Sequence, residues 1–380
     1  MNLSVEYEPE FFGTQGSDTF RIFFKKILPN VVDQEFAKVF ISPFHDIPLY
    51  SEIAPNIHRM VVRMPRWTNA RMEINKKEPF NPIKQDSSHQ VLRYFDNIFP
   101  FHGVLWNYGS FPQTWEMQSS ENPDFPNLKN DNNLLDVIEI GSKVHKTGAV
   151  IDVKILGAFV LIEQDHLDWK IIAIDINDKL SSKLDTIKDI DEYMPGLLDS
   201  TLEFFKYYKI VLGCPPIFFG YANPFLGKNE ALAIIEKSHK SWNKLIKNET
   251  YFKNSKDSVD FKLFNTQCLE SNKENLRNSK EAEALVENLK SLIINRPIES
   301  MAEQPQIERI EKVIYLNKKD ILNKTELLRG QITEKGQNSN NMIVRSQKLG
   351  EYLVENFWIM SGTLSVITLG ILISIKKFKH

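Results

Sequence analysis

The chain has 380 residues, of which 42% are hydrophobic and 25% charged, a composition typical of a globular protein with one large or two medium domains. Its 47 basic and 49 acidic residues give a net charge of −2, which argues against nucleic acid as a partner, because nucleic-acid-binding proteins usually carry a strong basic surplus. Two cysteines, Cys214 and Cys268, are too few for a disulfide framework.

Short apolar runs at close spacing dominate the first half of the chain. A predicted strand at Phe20–Phe24 is followed, within residues 41–175, by runs that Pro, Gly and Asn interrupt. The clearest of these runs are Met60–Met64, Leu92–Phe95, Val150–Leu161 and Lys170–Ile176. Such runs predict a closed or nearly closed β-structure.

Two stretches after this region are predicted to be helical. Residues 195–212 and 228–247 both place apolar side chains three and four positions apart, which is the spacing of one helix face. The strands therefore come first and the helices second, and the predicted fold class is α+β.

The composition changes near residue 248. Residues 248–300 are rich in Lys, Asn, Ser and Glu and are predicted to form a polar linker or helix. In residues 301–356, a predicted helical stalk, apolar residues recur every seven positions, with one interruption at Lys335. They are Ile307, Ile314, Ile321, Leu328, Met342 and Leu349. A solvated amphipathic stalk and a partner-binding coiled coil both remain open, because the second row of the seam is polar.

Residues 357–375 contain no charged side chain, and nineteen residues are long enough to cross a bilayer as a helix. The alternative is a helix buried in a protein core. The basic tail 376–380 follows, and we expect a single C-terminal transmembrane span that anchors the chain. The positive flank favours a mitochondrial membrane, with the endomembrane system as the alternative.

A loop with paired acids precedes the apolar run Val137–Ile140. Asp131 and Asp136 lie five positions apart in it. Carboxylates held close together repel one another, and a hard cation such as Mg²⁺ compensates this repulsion. The loop therefore predicts a metal site.

Several ordered motifs accompany this loop. They are His45–Tyr50, Pro65–Ala70, Asn81–Asp86, Asn107–Gly109, Pro112–Glu116, Asp168–Lys170, Ala173–Asp175 and Tyr208–Lys209. In this order they resemble the eukaryotic type of family I soluble inorganic pyrophosphatases, over about residues 15–247. The resemblance implies that residues 1–247 form one domain, a five-stranded OB-like β-barrel with flanking helices. It also implies pyrophosphate or phosphate as ligand and Mg²⁺ as cofactor.

The resemblance assigns roles to individual residues. Asp131, Asp136, Asp168 and Glu163 match metal-binding acids, and Glu73 matches another acid of the active site. The residues that match positions facing or supporting the phosphates are Arg71, Arg93, Lys170, Tyr108, Tyr208 and Lys209.

Five positions depart from the family pattern. Arg63 stands where the family has Glu, Arg71 replaces Lys, Val104 replaces Tyr, Asn133 replaces the middle Asp of the loop, and Glu163 replaces Asp. Asn133 and Arg63 make the predicted catalytic set degenerate, because an amide cannot accept a proton from the attacking water. Arg63 could pair with Asp131 or Asp136 in place of a metal ion.

Segments of the stalk weakly resemble the R-SNARE motif of synaptobrevin-type proteins. The segments are Ile310–Val313, Lys324–Leu328 and Ser346–Leu349, although no Arg stands clearly at the central layer. Three functions follow. The favoured one is a weakly active or inactive pyrophosphatase homologue that serves as a structural subunit of a membrane complex. The alternatives are an active, membrane-tethered, Mg²⁺-dependent diphosphatase and a SNARE-like tethering or fusion protein. The expected partners are the bilayer, through 357–375, and complex subunits or other helices, through 301–356.

Overall fold

The computed structural model describes residues 7–27, 38–118, 122–163, 165–247, 283–288, 291 and 313–314. The strands are β1 (Tyr7–Phe12), β2 (Arg21–Ile27), β3 (Lys38–Ile41), β4 (Ile57–Met64), β5 (Met72–Ile74), β6 (Ile83–Gln85), β7 (Ser87–Ser88), β8 (Val91–Leu92), β9 (Asn97–Ile98), β10 (Asn107–Ser110), β11 (Lys129–Asn130), β12 (Asp136–Glu139), β13 (Val150–Glu163), β14 (His166–Asp175), β15 (Phe218–Phe219) and β16 (Val313–Ile314). The helices are α1 (Ile187–Tyr193), α2 (Leu197–Tyr207) and α3 (Lys228–Lys247), with a 3₁₀ turn at Ile210–Leu212. Residues 283–288 are also helical.

Five strands pair in a closed ring. The order is β4, β10, β12, β14 and β13, and β13 pairs again with β4. The contact between β12 and β14 is parallel and the other four are antiparallel. The longest strand, β13, consists mainly of β-branched and other apolar residues, which fit the pleated surface of a sheet. This ring agrees with the closed β-structure predicted from the spacing of the apolar runs.

A second sheet lies beside the ring in the order β1-β2-β6-β5, and β3 pairs with β2 on the edge opposite β1. Phe23, Phe40 and Phe80 form a small apolar cluster at this sheet, and Val286 of the helical segment 283–288 is fully buried against them. This second sheet positions the site, because β5 carries Glu73.

Helices α2 and α3 cover the ring. Phe205 of α2 stacks on Trp106, with ring centroids 5.1 Å apart. Ile235 and Trp242 of α3 are buried at helical spacing, as the sequence predicts. Tyr208 and Lys209 follow directly after α2 and contact Glu163 at the end of β13.

The C-terminal predictions fall mostly outside the described residues. This is true of the span 357–375, the tail 376–380 and nearly all of the linker and stalk. Within the described part of the chain, no helix has both the length and the apolar character to cross a bilayer. The prediction of helix at Val313 and Ile314 is wrong, because they form a strand parallel to β9. Both residues are β-branched, and such side chains favour strands over helices.

Candidate active site

The candidate site lies where β4, β5, β12 and β14 come together. Asp168 and Lys170 lie two positions apart on β14, so both side chains project from the same face of the strand. The parallel register places Asp136 of β12 opposite Lys170. Residues that are far apart in the sequence thus meet in one cavity because the ring closes.

Asp136 is the most heavily contacted acid of the site. It accepts hydrogen bonds from Lys170 Nζ at 2.7 Å, from Arg63 Nη2 at 2.5 Å, and from the Tyr108 hydroxyl. Burial alone would raise the pKa of Asp136, but Lys170 and Arg63 hold it below its usual range. Asp136 is therefore a carboxylate whose charge the protein itself balances.

Arg63 joins two acids from different sheets. Its guanidinium forms ion pairs with Glu73 of β5 and Asp136 of β12, and only 2% of the side chain is exposed. Arg71 also approaches Glu73, with 3.7 Å between Nη2 and Oε1. Of the two partners expected for Arg63, the structure places Asp136 against it.

Lys170 is the second buried cation of the site. Its Nζ also donates to Asp168 Oδ1, so one ammonium bridges Asp136 and Asp168. Burial alone would lower the pKa of Lys170, but these two acids raise it well above its usual range. The ammonium of Lys170 is thus paired with carboxylates, whereas the family resemblance implied that it would face a phosphate.

Three acids form a separate group on the other side of Lys170. Glu116, Asp131 and Asp168 each offer an oxygen within 4.8 Å of the others. Burial and the neighbouring carboxylates raise the pKa values of Glu116 and Asp131 well above the usual range, and that of Asp168 to about 6. Burial and mutual repulsion thus disfavour the charged form of these three acids, and a divalent cation would relieve that repulsion, since hard oxygen donors of this kind suit Mg²⁺.

Glu116 is the site residue that the sequence did not assign. Glu116 is only 3% exposed, and neither of its carboxylate oxygens has a hydrogen-bond partner among the described residues. The available signal was its position at the end of the motif Pro112–Glu116, where an acid follows a buried Trp115. A single acid beside a Trp has no spacing that marks a metal ligand, so this signal was weak.

The carboxylate of Glu163, a predicted metal ligand, is bound by side chains of the protein. It accepts a hydrogen bond from Tyr208 and forms an ion pair with Lys209. Burial alone would raise the pKa of Glu163, but Lys209 holds it below its usual range. Three predicted residues therefore form one group at the edge of the cavity.

Two predicted residues make no side-chain contact with these acids among the described residues. Arg93 pairs with Asp86 at 2.8 Å and is 38% exposed. Asn133 takes part through its backbone, because its carbonyl accepts from the Glu116 amide at 2.8 Å. Val104 is fully buried and presents no hydroxyl to the site.

Comparison with known proteins gives one consistent family. A model of the inorganic pyrophosphatase family matches residues 60–243. The inorganic pyrophosphatase of Drosophila melanogaster is 46% identical over 240 residues, which are 63% of this chain and 68% of that protein. The inorganic pyrophosphatase of Candida glabrata is 47% identical over 231 residues, 61% of this chain and 78% of that protein.

Solved structures agree with these sequence similarities. The inorganic pyrophosphatase of Schistosoma japonicum has a TM-score of 0.67 and 34% identity, covering 81% of this chain and all of that one. An N-terminally truncated vacuolar soluble pyrophosphatase of Trypanosoma cruzi, solved in complex with PPi, has a TM-score of 0.58 and 33% identity. That alignment covers 64% of this chain and 92% of the other.

Proposed function

The chain belongs to the inorganic pyrophosphatase family, and we propose that it binds pyrophosphate or phosphate but hydrolyses pyrophosphate far more slowly than relatives with acids in place of Arg63 and Asn133. The observation that carries this proposal is the guanidinium of Arg63, which forms ion pairs with Glu73 and Asp136. Members of this family depend on divalent cations, typically Mg²⁺. Here a fixed side chain supplies positive charge where an acidic residue would recruit a metal ion.

The charge balance around Arg63 supports weak metal binding at this end of the cavity. Glu73 and Asp136 face Arg63 and Lys170, so two negative charges meet two positive ones. An additional dication here would be repelled by both cations, and displacing buried Arg63 would leave its guanidinium without partners. Fewer metal ions then polarise the substrate and activate the attacking water.

Asn133 removes a proton acceptor as well. An amide cannot take the proton of a nucleophilic water, and loss of a positioned general base typically costs about 10²–10⁴-fold in rate. Asp131 and Asp168 remain nearby, so some turnover is expected. This effect adds to that of Arg63, because one concerns proton transfer and the other metal recruitment.

Anion binding is better supported than turnover. Lys209 and Tyr208 contact Glu163, and Arg71 approaches Glu73. Cationic and hydroxyl donors of this kind hold phosphate oxygens. The T. cruzi relative was solved with PPi, which makes pyrophosphate the plausible ligand. Lys209 would have to exchange Glu163 for the ligand.

Phosphate release by the full-length chain in Mg²⁺ tests the proposal. We expect a low rate for the wild type and an increase of about 10²-fold or more for the double variant Arg63→Glu with Asn133→Asp. Asp131→Asn in the wild-type background serves as the control for contaminating pyrophosphatase. Rapid hydrolysis by the wild type that Asp131→Asn abolishes would contradict slow turnover and favour the active, tethered diphosphatase.

Residues 357–375 motivate a proposal about location. Their uncharged sequence supports a membrane-anchored chain that acts as a structural subunit of a membrane complex, in mitochondria or in the endomembrane system. Deletion of 357–380 should release the protein from washed membranes, and an unchanged membrane fraction would contradict the anchor. Detergent pull-down of Q-SNAREs, rather than of stable complex subunits, would favour the SNARE-like alternative.

A further inference from the structure

The two halves of the cavity differ in how their acids are balanced. Asp136 contacts both Arg63 and Lys170. Glu116 and Asp131, in contrast, each have buried carboxylate oxygens without a hydrogen-bond partner among the described residues. A buried carboxylate without a compensating cation or donor is costly. The acids that lack compensation therefore lie away from Arg63, around Asp131.

From this contrast we propose that the chain holds a divalent cation of the Mg²⁺ or Mn²⁺ type between Glu116, Asp131 and Asp168, and that Asp136 is not among its ligands. The inference rests on the proposed function in that it concerns the same cavity. It adds Glu116, which lies outside the acids predicted from the family pattern, and it removes Asp136, which that pattern includes.

The backbone holds Glu116 and the acidic loop in a fixed relation. The Glu116 amide donates to Asn133 O at 2.8 Å, and the Asn132 amide donates to Glu116 O at 3.0 Å. Asn132 has a φ of 61°, a left-handed conformation that Asn tolerates better than most residues. These paired hydrogen bonds hold the backbone of Glu116 against the loop that carries Asp131 before any cation binds.

The separation of the oxygens is close to that required for direct coordination. The three ligand oxygens lie within 4.8 Å of one another. Oxygens around Mg²⁺ at about 2.0–2.1 Å are separated by about 3 Å when adjacent and by about 4 Å when opposite. The carboxylates would therefore have to approach one another by about 1–2 Å to share one Mg²⁺ ion.

Two lysine ammonium groups lie near the acids, and a bound cation would compete with them for the carboxylate oxygens. Lys170 donates to Asp168 Oδ1, and Lys76 Nζ donates to Asn132 O at 2.9 Å and attracts Asp131. Lys170 is shared with Asp136, so it cannot neutralise the group alone. A dication bound by one Asp168 oxygen leaves the contact between Lys170 and the other oxygen possible.

Binding of Mn²⁺ to the full-length chain, measured by electron paramagnetic resonance without substrate, tests the proposal. Because loss of even a residue that supports a ligand typically weakens metal binding by about 10–100-fold, Glu116→Gln should weaken Mn²⁺ binding at least about tenfold. Asp136→Asn should weaken it clearly less than Glu116→Gln does, and only because Lys170, which Asp136 and Asp168 now share, would then pair with Asp168 alone. Excess Mg²⁺ should displace the bound Mn²⁺. Glu230→Gln, an acid that lines the neighbouring cleft with Glu116, is the matched control for net charge.

The alternative results are distinct. Wild-type affinity in Glu116→Gln, an equal loss in Asp136→Asn, or no Mn²⁺ binding at millimolar concentration would each overturn the inference. If Asp136→Asn does not fold, Glu116→Gln alone decides, because a site built on Asp136 predicts wild-type affinity for it. Fast hydrolysis with Mn²⁺ binding that still requires Glu116 would contradict the proposed function and leave the cation site intact.

Discussion

Replacing Arg63 by Glu should make the stability of the domain depend on Mg²⁺. The substitution removes the guanidinium that contacts Asp136 at 2.5 Å and also pairs with Glu73, and places a third carboxylate between them. Breaking a buried ion pair by removing one partner costs about 3–5 kcal/mol. Asp136 keeps Lys170 and Tyr108, so we expect a loss near the lower end, before the added repulsion.

Thermal unfolding with and without Mg²⁺ measures this effect. For a domain of this size, 1 kcal/mol shifts Tm by about 2–4 °C, so a loss of about 4 kcal/mol lowers Tm by roughly 8–16 °C without the cation. Mg²⁺ at about 100 times its Kd would restore about 2.7 kcal/mol. In the wild type, Arg63 already balances Glu73 and Asp136. Mg²⁺ should therefore raise the Tm of the variant more than that of the wild type.

Arg59→Glu is the matched control. Arg59 is a buried arginine on the same strand, and it approaches Asp152 at 3.9 Å. Its loss should also lower Tm, but Mg²⁺ should not stabilise this variant beyond the wild-type response. The reasoning would be refuted if Arg63→Glu were as stable as the wild type without Mg²⁺, or if Mg²⁺ raised the Tm of both variants equally.

Three further predictions concern stability. Lys170→Met should lower the free energy of unfolding in urea by about 3–5 kcal/mol, because Asp136 and Asp168 lose a buried cation. A loss below about 1 kcal/mol, which is typical of exposed ion pairs, would contradict a Lys170 bridge between the two acids. Burial lowers the pKa of His58 to about 4, so the stability that neutral His58 supports is present above about pH 6.5 and is lost as pH falls through 4. His58→Leu should therefore lose about 3 kcal/mol less than the wild type between pH 6.5 and pH 4, and parallel pH profiles would refute this. A Cβ at Gly109 would lie 2.1 Å from Val61 O, so Gly109→Ala should cost about 3 kcal/mol or more in thermal unfolding. At Gly196, where a Cβ meets nothing within 4 Å and φ is 83°, the same change should cost only about 1–2 kcal/mol.

The family and its mixed-sheet fold, predicted from the ordered motifs, are confirmed. The spacing of apolar residues predicted the strands of the first half and the helices at 195–212 and 228–247. This works because the buried face of a strand or helix recurs along the chain with the period of that element. Spacing failed at Val313 and Ile314. There a seven-residue repeat predicted helix, whereas pairing with β9 produced a strand, and tertiary context overrides local pattern in short segments.

The site was predictable as a set of residues but not as a set of contacts. The sequence identified Asp131, Asp136 and Asp168 together. It could not show that Lys209 and Tyr208 both contact Glu163, or that Glu116 lies in the acidic group, because these contacts depend on how segments far apart in the chain pack together. These tertiary contacts decide whether an acid is left to bind a metal ion or is paired with a side chain of the protein. Neither composition nor residue spacing reveals them.

The order in which the ring closes has a consequence during synthesis. β4 pairs with β13, which follows about 90 residues later in the chain. At about 5–20 residues per second on the ribosome, the apolar strand β4 therefore waits several seconds for this neighbour. Asp168 and Lys170 emerge later still, on β14. The nascent chain thus exposes its acidic loop before it has the lysine that balances Asp136, and long-range pairings of this kind fold slowly. Chaperones that cover exposed apolar strands would meet this protein in the interval between β4 and β14.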